Sequence, residues 1–135
     1  MNFEYKYEKL RFGIYRINIF HDDKLYGVIS QSDLDGVSNI NNRLFYLDDK
    51  KANVVVDART NKKICELAHY SDGSHHIEIE NKSKYLLRKG YTFNENQVCV
   101  ENIDSKNKKY NLSILSESDI ELILYSYFYF KIPTD

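Results

Sequence analysis

Apolar and polar residues alternate along several segments of the chain, as they do in β-strands that have one buried and one wet face. Ile17 and Ile19 share one face of the first such segment, while Arg16 and Asn18 share the other. The segment 76–80 alternates in the same way, with isoleucines on one face and glutamates on the other. This period of two predicts strands rather than helices over most of the chain.

Short clusters rich in Asp, Asn, Lys and Gly interrupt these segments. Their spacing of about ten residues is typical of a β-meander, in which short strands are joined by tight turns. The pair Asp72-Gly73 is the strongest turn signal, because both central residues of a type I′ turn need a positive φ. We expect a surface loop over 31–42. The segments between the clusters predict ten strands: Phe3–Leu10, Phe12–Phe20, Leu25–Ser30, Leu44–Leu47, Ala52–Asp57, Ile64–Tyr70, His75–Glu80, Tyr85–Lys89, Val98–Ile103 and Tyr110–Leu115.

The C-terminal segment departs from this alternation. The sequence Ser118-Asp119-Ile120-Glu121 is a capping box, whose serine caps a helix and whose glutamate reaches back to the start of that helix. The residues that follow are apolar with two exceptions, which predicts a helix surrounded by protein that ends at Pro133. The alternative is a final β-strand over Tyr125–Ile132, because aromatic residues favour strands.

The composition agrees with a β fold. Isoleucine and valine together number 20 against three alanines, and there are 12 tyrosines and 7 phenylalanines. The length of 135 residues suits a single domain over 1–135. We therefore predict a mainly β fold in which an antiparallel meander closes into a barrel, or forms a two-sheet sandwich, with the C-terminal segment as a buried apolar helix.

Charge, apolar runs and cysteines narrow the class of protein. Nineteen basic and twenty acidic residues give a net charge of −1, which argues against nucleic acid as a partner. The longest apolar stretch, Leu122–Phe130, is far shorter than the roughly 20 residues of a transmembrane helix, and the N-terminus has no apolar run typical of a signal peptide. Cys65 and Cys99 are too few for a disulfide scaffold, so we expect buried free thiols and a cytoplasmic protein.

Two histidines and a glutamate form a candidate metal site. If Asp72-Gly73 is a two-residue hairpin turn, His69 lies opposite His76, and Glu78 lies one step further along the same face. Imidazole and carboxylate ligands suit zinc or another divalent ion. The spacing matches no metal motif, however, and the alternative is a solvated histidine pair. The sequence indicates no cofactor.

Lysines cluster at the predicted turns, for example at Lys50-Lys51, at Lys62-Lys63 and over 106–109. Such lysines commonly keep a protein soluble and stop strand edges from pairing. Several of them on one rim would form a basic patch for anionic lipid headgroups. The sequence has no glycine-rich phosphate loop, nucleophile elbow or paired Cys-x-x-Cys motif, so we predict that the protein is not an enzyme.

The second half of the chain resembles the tubby-like β-barrels, in particular the bacterial LURP-one-related and scramblase-like branch. The resemblance rests on a run of short sequences: Val54-Val55-Val56-Asp57 before a turn, Lys63-Ile64-Cys65-Glu66-Leu67, Tyr110-Asn111-Leu112-Ser113-Ile114, the acidic Glu117-Ser118-Asp119 and then Glu121-Leu122-Ile123-Leu124. It implies a twelve-stranded barrel wrapped around a central apolar helix. It also implies a binding or scaffold module without catalysis, and no binding residue of the family has a counterpart here.

These observations predict a small, intracellular, non-catalytic binding module. Its partner is a protein, recognised by an exposed-tyrosine surface, or an anionic lipid surface. The alternative is a small inhibitor, either a toxin immunity protein or a phage-encoded antagonist of a host defence system, that binds and blocks a protein target.

Overall fold

The computed structural model of the chain describes residues 1–10, 15–30, 36–48, 50–51, 53–89 and 98–131. Within these ranges the chain forms eleven strands and one helix. They are β1 (Asn2–Lys9), β2 (Tyr15–His21), β3 (Lys24–Ser30), β4 (Ser38–Ile40), β5 (Arg43–Leu47), β6 (Val54–Asp57), β7 (Lys62–His69), β8 (Ser74–Ile79), β9 (Lys82–Lys89), β10 (Cys99–Asp104), β11 (Lys109–Ile114) and α1 (Ile120–Lys131).

The strands form one sheet that is nearly closed into a barrel. Its order is β10-β11-β1-β2-β3-β4-β5-β6-β7-β8-β9, and every neighbouring pair in this order is antiparallel. The two outermost strands, β10 and β9, lie close together. Next to β10, the Val98 N–H donates to the Leu86 carbonyl of β9 at 2.9 Å. The Cys99 thiol also donates to the Leu87 carbonyl at 3.2 Å. The predicted antiparallel meander and barrel are confirmed, and each predicted strand corresponds to an observed one.

Two-residue turns join three of the hairpins, and all six of their residues have positive φ, as type I′ turns require. They are Asp22 and Asp23, Asn41 and Asn42, and Glu80 and Asn81, with φ values between 50° and 68°. Since the strands alternate in direction from β1 to β9, these turns lie at one end of the barrel, which we call the turn end. We call the opposite end, where β1 ends and β2 begins, the rim end.

The hairpin at Asp72-Gly73 differs from its prediction. Tyr70 and Ser74 close a three-residue turn, with the Tyr70 N–H donating to the Ser74 carbonyl at 2.9 Å and the Gly73 N–H donating to the Tyr70 carbonyl at 3.0 Å. Gly73 alone takes the positive φ, 87°, and the Asp72 carboxylate accepts the N–H of Ser74 at 2.9 Å. The predicted type I′ turn is therefore wrong, and the strand register moves by one residue.

The predicted surface loop over 31–42 contains a short strand, β4, whose residues 38–40 pair with β3 and β5. Gly27 lies opposite Ile40, and a side chain at Gly27 would place its Cβ 3.0 Å from the Ile40 Cα. Glycine is therefore required for β3 and β4 to approach this closely. Residues 31–35 lie outside the described part of the chain.

The helix α1 fills the barrel. Leu122, Ile123, Leu124 and Phe128 are 2% exposed or less. The Phe128 ring packs edge-on against Tyr5 of β1 at 4.9 Å between centroids. This confirms the buried apolar helix over the alternative of a final strand, although Pro133 itself is outside the described residues. No helix among the described residues is both long and apolar enough to span a bilayer.

The helix does not begin with the predicted capping box. The Asp119 carbonyl accepts the Ile123 N–H at 2.9 Å, so Asp119 rather than Ser118 is the residue before the first helical turn. The third helical position is then Leu122 instead of Glu121, and the reciprocal bonds of a capping box are not possible. Asp119 instead anchors the helix to β9, because its carboxylate accepts from the Tyr85 hydroxyl at 2.6 Å and from Lys84 Nζ at 2.9 Å.

Both cysteines are buried thiols that form no disulfide, as predicted. Burial raises the pKa of Cys65 to about 12, so this thiol stays protonated at neutral pH.

Truncation of the helix core tests the packing of α1. Leu124→Ala or Phe128→Ala should lower the free energy of unfolding by about 2–5 kcal/mol, because each leaves a cavity inside the barrel. Urea denaturation followed by circular dichroism measures the loss. Leu115→Ala, at a position that is 55% exposed, is the matched control and should change stability by less than about 0.5 kcal/mol. Equal losses for the buried and exposed positions would contradict a helix inside the barrel.

The anchor of the helix start predicts a pH dependence. Hydrogen bonds from Tyr85 and Lys84 hold the pKa of Asp119 below its ordinary value of 3.8. A carboxyl with a depressed folded pKa stabilises the fold above pH 3.8, and this contribution is lost as the pH falls through the folded pKa. Asp119→Asn should therefore cost roughly 1 kcal/mol at neutral pH. Urea titrations at several pH values measure the free energy of unfolding of both proteins. The difference between the wild type and Asp119→Asn should disappear in acid, and a difference that did not change with pH would contradict this role.

Candidate functional site

Exposed aromatic and aliphatic side chains gather at the rim end of the barrel. Tyr7 near the end of β1, Tyr15 at the start of β2 and Ile103 near the end of β10 are 38%, 37% and 47% exposed. Tyr110, at the start of β11, lies among them and is partly buried. These four residues are on four adjacent strands, β10-β11-β1-β2, and we call them the tyrosine rim.

The rim continues the rows of residues that form the core. Along β1, Phe3 and Tyr5 are buried and Tyr7 is exposed, although all three side chains point to the same face. Along β2, Ile17 is buried while Tyr15 on the same face is exposed. Tyr5 has a ring contact with Phe128 of α1, whereas the ring contacts of Tyr7 among the described residues are with Tyr5 and Tyr110. Among the described residues, the tyrosine rim thus continues the inner face beyond the ring contact between Tyr5 and α1.

Ring contacts hold the rim on the core. The Tyr110 ring stacks on Tyr5 at 5.5 Å and meets Tyr7 edge-on at 5.8 Å, while Ile103 lies opposite Tyr110 in the β10–β11 register. Tyr5 in turn contacts Phe128 of the helix. Burial and the neighbouring Tyr110 raise the pKa of Tyr7, so its hydroxyl remains a neutral hydrogen-bond donor.

A partly buried carboxylate lies beneath the rim. Glu101 of β10 accepts the Tyr5 hydroxyl at 2.5 Å on one oxygen and the Tyr127 hydroxyl on the other. Hydrogen bonds to an ionised acceptor are among the strong ones. Glu101 therefore ties β1, β10 and α1 together directly below the tyrosine rim.

Lysines outnumber the neighbouring carboxylates around the rim. Lys9, 106, 108 and 109 are exposed at this end of the barrel. Glu8 accepts from Asn18 at 3.1 Å and lies 3.8 Å from Arg16, and the Asn107 side chain holds the pKa of Asp104 below its usual range. The four lysines outnumber these two carboxylates, so the surface around the tyrosines is basic in character.

The lysine clusters are divided between the two ends of the barrel. The clusters at 50–51 and 106–109 lie at the rim end, in the β5–β6 and β10–β11 connections. Lys62 and Lys82 lie at the turn end, where β7 and β9 begin. The predicted basic clusters therefore do not all meet on a single rim.

The structure does not bring the predicted metal ligands together. His69 lies opposite His75, and Ala68 lies opposite His76, so His69 and His76 are on opposite faces of the sheet. Glu78 accepts the Tyr70 hydroxyl at 2.7 Å. The predicted register was wrong by one residue, and within the described ranges no group of three or more His, Cys, Asp and Glu side chains could hold a metal ion.

His76 belongs to a hydrogen-bonded chain that closes the β7–β8–β9 hairpins. Its Nε2 is 2.8 Å from the hydroxyl of Ser74, which donates to Asp72 at 2.5 Å, and its Nδ1 is 2.6 Å from the Ser83 hydroxyl. A serine within reach of a histidine base is an arrangement found in nucleophilic enzymes. Ser74, however, is buried and directs its proton to Asp72, which makes the chain a structural network. The sequence analysis missed it because it depends on the true register.

A concave surface, separate from the tyrosine rim, lies on the outer face of β5, β6 and β7. Val54 and Val56 form its floor, Tyr46 and Lys63 flank it, and it encloses about 330 Å³. The ammonium of Lys63 is 2.6 Å from Glu66, so the charge of Lys63 is balanced by a carboxylate of the same surface. We call this surface the valine groove.

Comparisons with known proteins add no relative. No protein-family model matches the chain, and searches of curated proteins and of solved structures find no significant match. The resemblance to tubby-like barrels stays a prediction, and it implies one strand more than the described residues contain.

Removal of one tyrosine hydroxyl tests the polar contact beneath the rim. Tyr127→Phe should lower the free energy of unfolding by roughly 1.5–3 kcal/mol, because it deprives the partly buried Glu101 carboxylate of a donor. Tyr129→Phe on the same helix is the control, since its hydroxyl has no hydrogen-bond partner among the described residues and its loss should be close to neutral. Chemical denaturation compares the two variants. Similar stabilities for both would show that Glu101 does not tie the helix to the rim.

Proposed function

We propose that the protein is a non-catalytic binding protein that recognises a protein partner through the tyrosine rim. The observation that carries this proposal is the position of Tyr7, Tyr15 and Ile103, which continue the inner face of the barrel at the rim end and are exposed. Tyrosine supplies a large apolar area with a polar tip, and it is enriched among the residues that dominate binding energy.

The filled barrel favours a partner that binds at the protein surface over a ligand carried inside the barrel. Side chains of α1 occupy the interior that a ligand-carrying barrel would keep open. The rim residues are also well supported, because Tyr7 and Tyr110 contact each other and Tyr5. A surface that is ordered before binding loses less conformational entropy when a partner docks.

The charges around the rim favour an acidic partner surface. Four exposed lysines border the tyrosines and outnumber the two nearby carboxylates, Glu8 and Asp104, so the surface favours an acidic partner. Lysines at the edge of an interface speed the encounter with an acidic partner and set its orientation. The resemblance to tubby-like barrels, which implies a binding module, points in the same direction.

The decisive experiment compares two matched double variants of the protein surface. Proteins captured by the wild type from cells of the source organism are identified, purified and titrated calorimetrically. The rim variant Tyr7→Ser/Ile103→Ser should bind the partner at least about tenfold more weakly, because it removes two exposed anchors from the centre of the surface. The control Leu25→Ser/Leu115→Ser removes two residues, 60% and 55% exposed, that lie away from the rim, and should bind like the wild type.

Three outcomes would contradict the proposal. An equal loss of affinity for the rim and control variants would point to instability rather than recognition. Loss of affinity only for Tyr46→Ser would move the site to the valine groove. Sedimentation with vesicles that contain phosphatidylserine, abolished in the rim variant while no protein partner is captured, would make the partner an anionic membrane surface.

A further inference from the structure

A serine and a histidine on the outer face of the β8–β9 hairpin lie within hydrogen-bond reach of each other. Ser83 of β9 is exposed, and its hydroxyl oxygen is 2.6 Å from Nδ1 of His76. The other nitrogen of this ring, Nε2, is 2.8 Å from the hydroxyl oxygen of Ser74. Ser74 is buried and closes the hairpins, whereas Ser83 is the member of the network whose hydroxyl solvent can reach.

The directions of these hydrogen bonds follow from the carboxylate at the other end of the network. The ionised Asp72 side chain can only accept, and it takes both the N–H and the hydroxyl proton of Ser74. The Ser74 oxygen therefore accepts from His76, so the proton of the neutral imidazole is on Nε2. Its Nδ1 then carries a lone pair, to which Ser83 donates its hydroxyl proton.

These contacts form the arrangement of a nucleophile with its base. A hydroxyl within about 2.6–3.2 Å of a base that is itself oriented by a third group is the geometry that activates serine for covalent chemistry. Here His76 is the base, and Ser74 and Asp72 hold its ring in the tautomer that can accept a proton. We propose that Ser83 is a nucleophilic serine that takes up an acyl group from an activated ester.

Two neighbouring side chains support the histidine in this role. The Tyr70 ring stacks on the His76 ring at 4.2 Å between centroids, so it covers one face of the imidazole and limits its rotation. The Tyr70 hydroxyl donates to Glu78, which is the next residue on the same face of β8. When His76 takes the proton it becomes positively charged near this carboxylate, and a nearby opposite charge favours the charged form.

The proposed step is balanced by the groups already named. The Ser83 oxygen attacks the carbonyl carbon of the ester, the bond from that carbon to the alcohol oxygen breaks, and the hydroxyl proton moves to His76. His76 then gives the proton to the leaving alcohol, so the neutral ring is restored. The products are one acyl-serine per chain and one alcohol. Because a single transfer needs no turnover, acylation of Ser83 is compatible with a binding protein and does not depend on the tyrosine rim.

A fluorophosphonate probe tests the nucleophile, because its phosphorus atom takes the place of the carbonyl carbon and its fluoride that of the alcohol. At pH 8 the wild type should gain one phosphonyl group per chain, and peptide mapping should locate it on Ser83. Ser83→Ala should gain none. Ser105→Ala is the matched control, at an exposed serine between β10 and β11, and should react like the wild type.

A histidine variant separates a base from a structural partner. In His76→Asn the amide oxygen can accept a hydrogen bond from Ser83 but cannot take its proton, so labelling should be at least about a hundredfold slower. The wild-type rate should rise with pH and level off by about pH 8, as expected for a histidine base. The rate of His76→Asn should keep rising with the hydroxide concentration.

Three results would overturn the proposal. They are no adduct on the wild type, an adduct on a residue other than Ser83, and equal labelling rates for the wild type and His76→Asn. Circular dichroism establishes that each variant is folded. If His76→Asn does not fold, the pH profile of the wild type decides the question, because a labelling rate that fails to level off by about pH 8 would exclude the histidine base.

Discussion

The fold depends on one constraint: the helix α1 is apolar on all sides and has to be enclosed by protein. Seven consecutive residues, 122–128, are buried, and a helix of this kind has no face that water could solvate. A sheet that curves around it buries both its own inner face and the helix. The alternating residues of the strands supply that inner face, and most of their outward neighbours are polar. Barrel and helix are therefore two parts of one hydrophobic core.

Apolar packing does not by itself fix how the helix is placed along the barrel, because the hydrophobic effect is non-directional. Two polar contacts supply the missing direction. At the helix start, Asp119 accepts hydrogen bonds from Tyr85 and Lys84 of β9. Near its other end, Tyr127 donates to Glu101 of β10, which also accepts from Tyr5. A shift of the helix by one turn would break both contacts and leave partly buried carboxylates without their donors, which is costly.

Much of the fold can be predicted from the alternation of apolar and polar residues, whereas the candidate sites cannot. Alternation locates nearly all of the strands, and the apolar C-terminal segment predicts the enclosed helix. The strand β4 is too short, at three residues, to produce a pattern. The Asp72-Gly73 pair is compatible with a two-residue type I′ turn and with a three-residue turn that has glycine in the left-handed conformation. The two turns differ by one residue in register, and that single step exchanges His76 for His75 as the neighbour of His69.

The tyrosine rim is hidden from sequence analysis for a related reason. Tyr5 and Tyr7 occupy equivalent positions in the alternation of β1, yet one is completely buried and the other is open to solvent. What separates them is that Tyr5 contacts Phe128 of α1 while the ring contacts of Tyr7 are with other tyrosines, and the position of α1 is set by the anchors at Asp119 and Glu101 rather than by any local pattern. Tyrosine suits both sides of this boundary, because its ring packs in the core and its hydroxyl is satisfied by Glu101 below or by water above. The contacts that place the helix therefore also decide which of these aromatic residues face a partner.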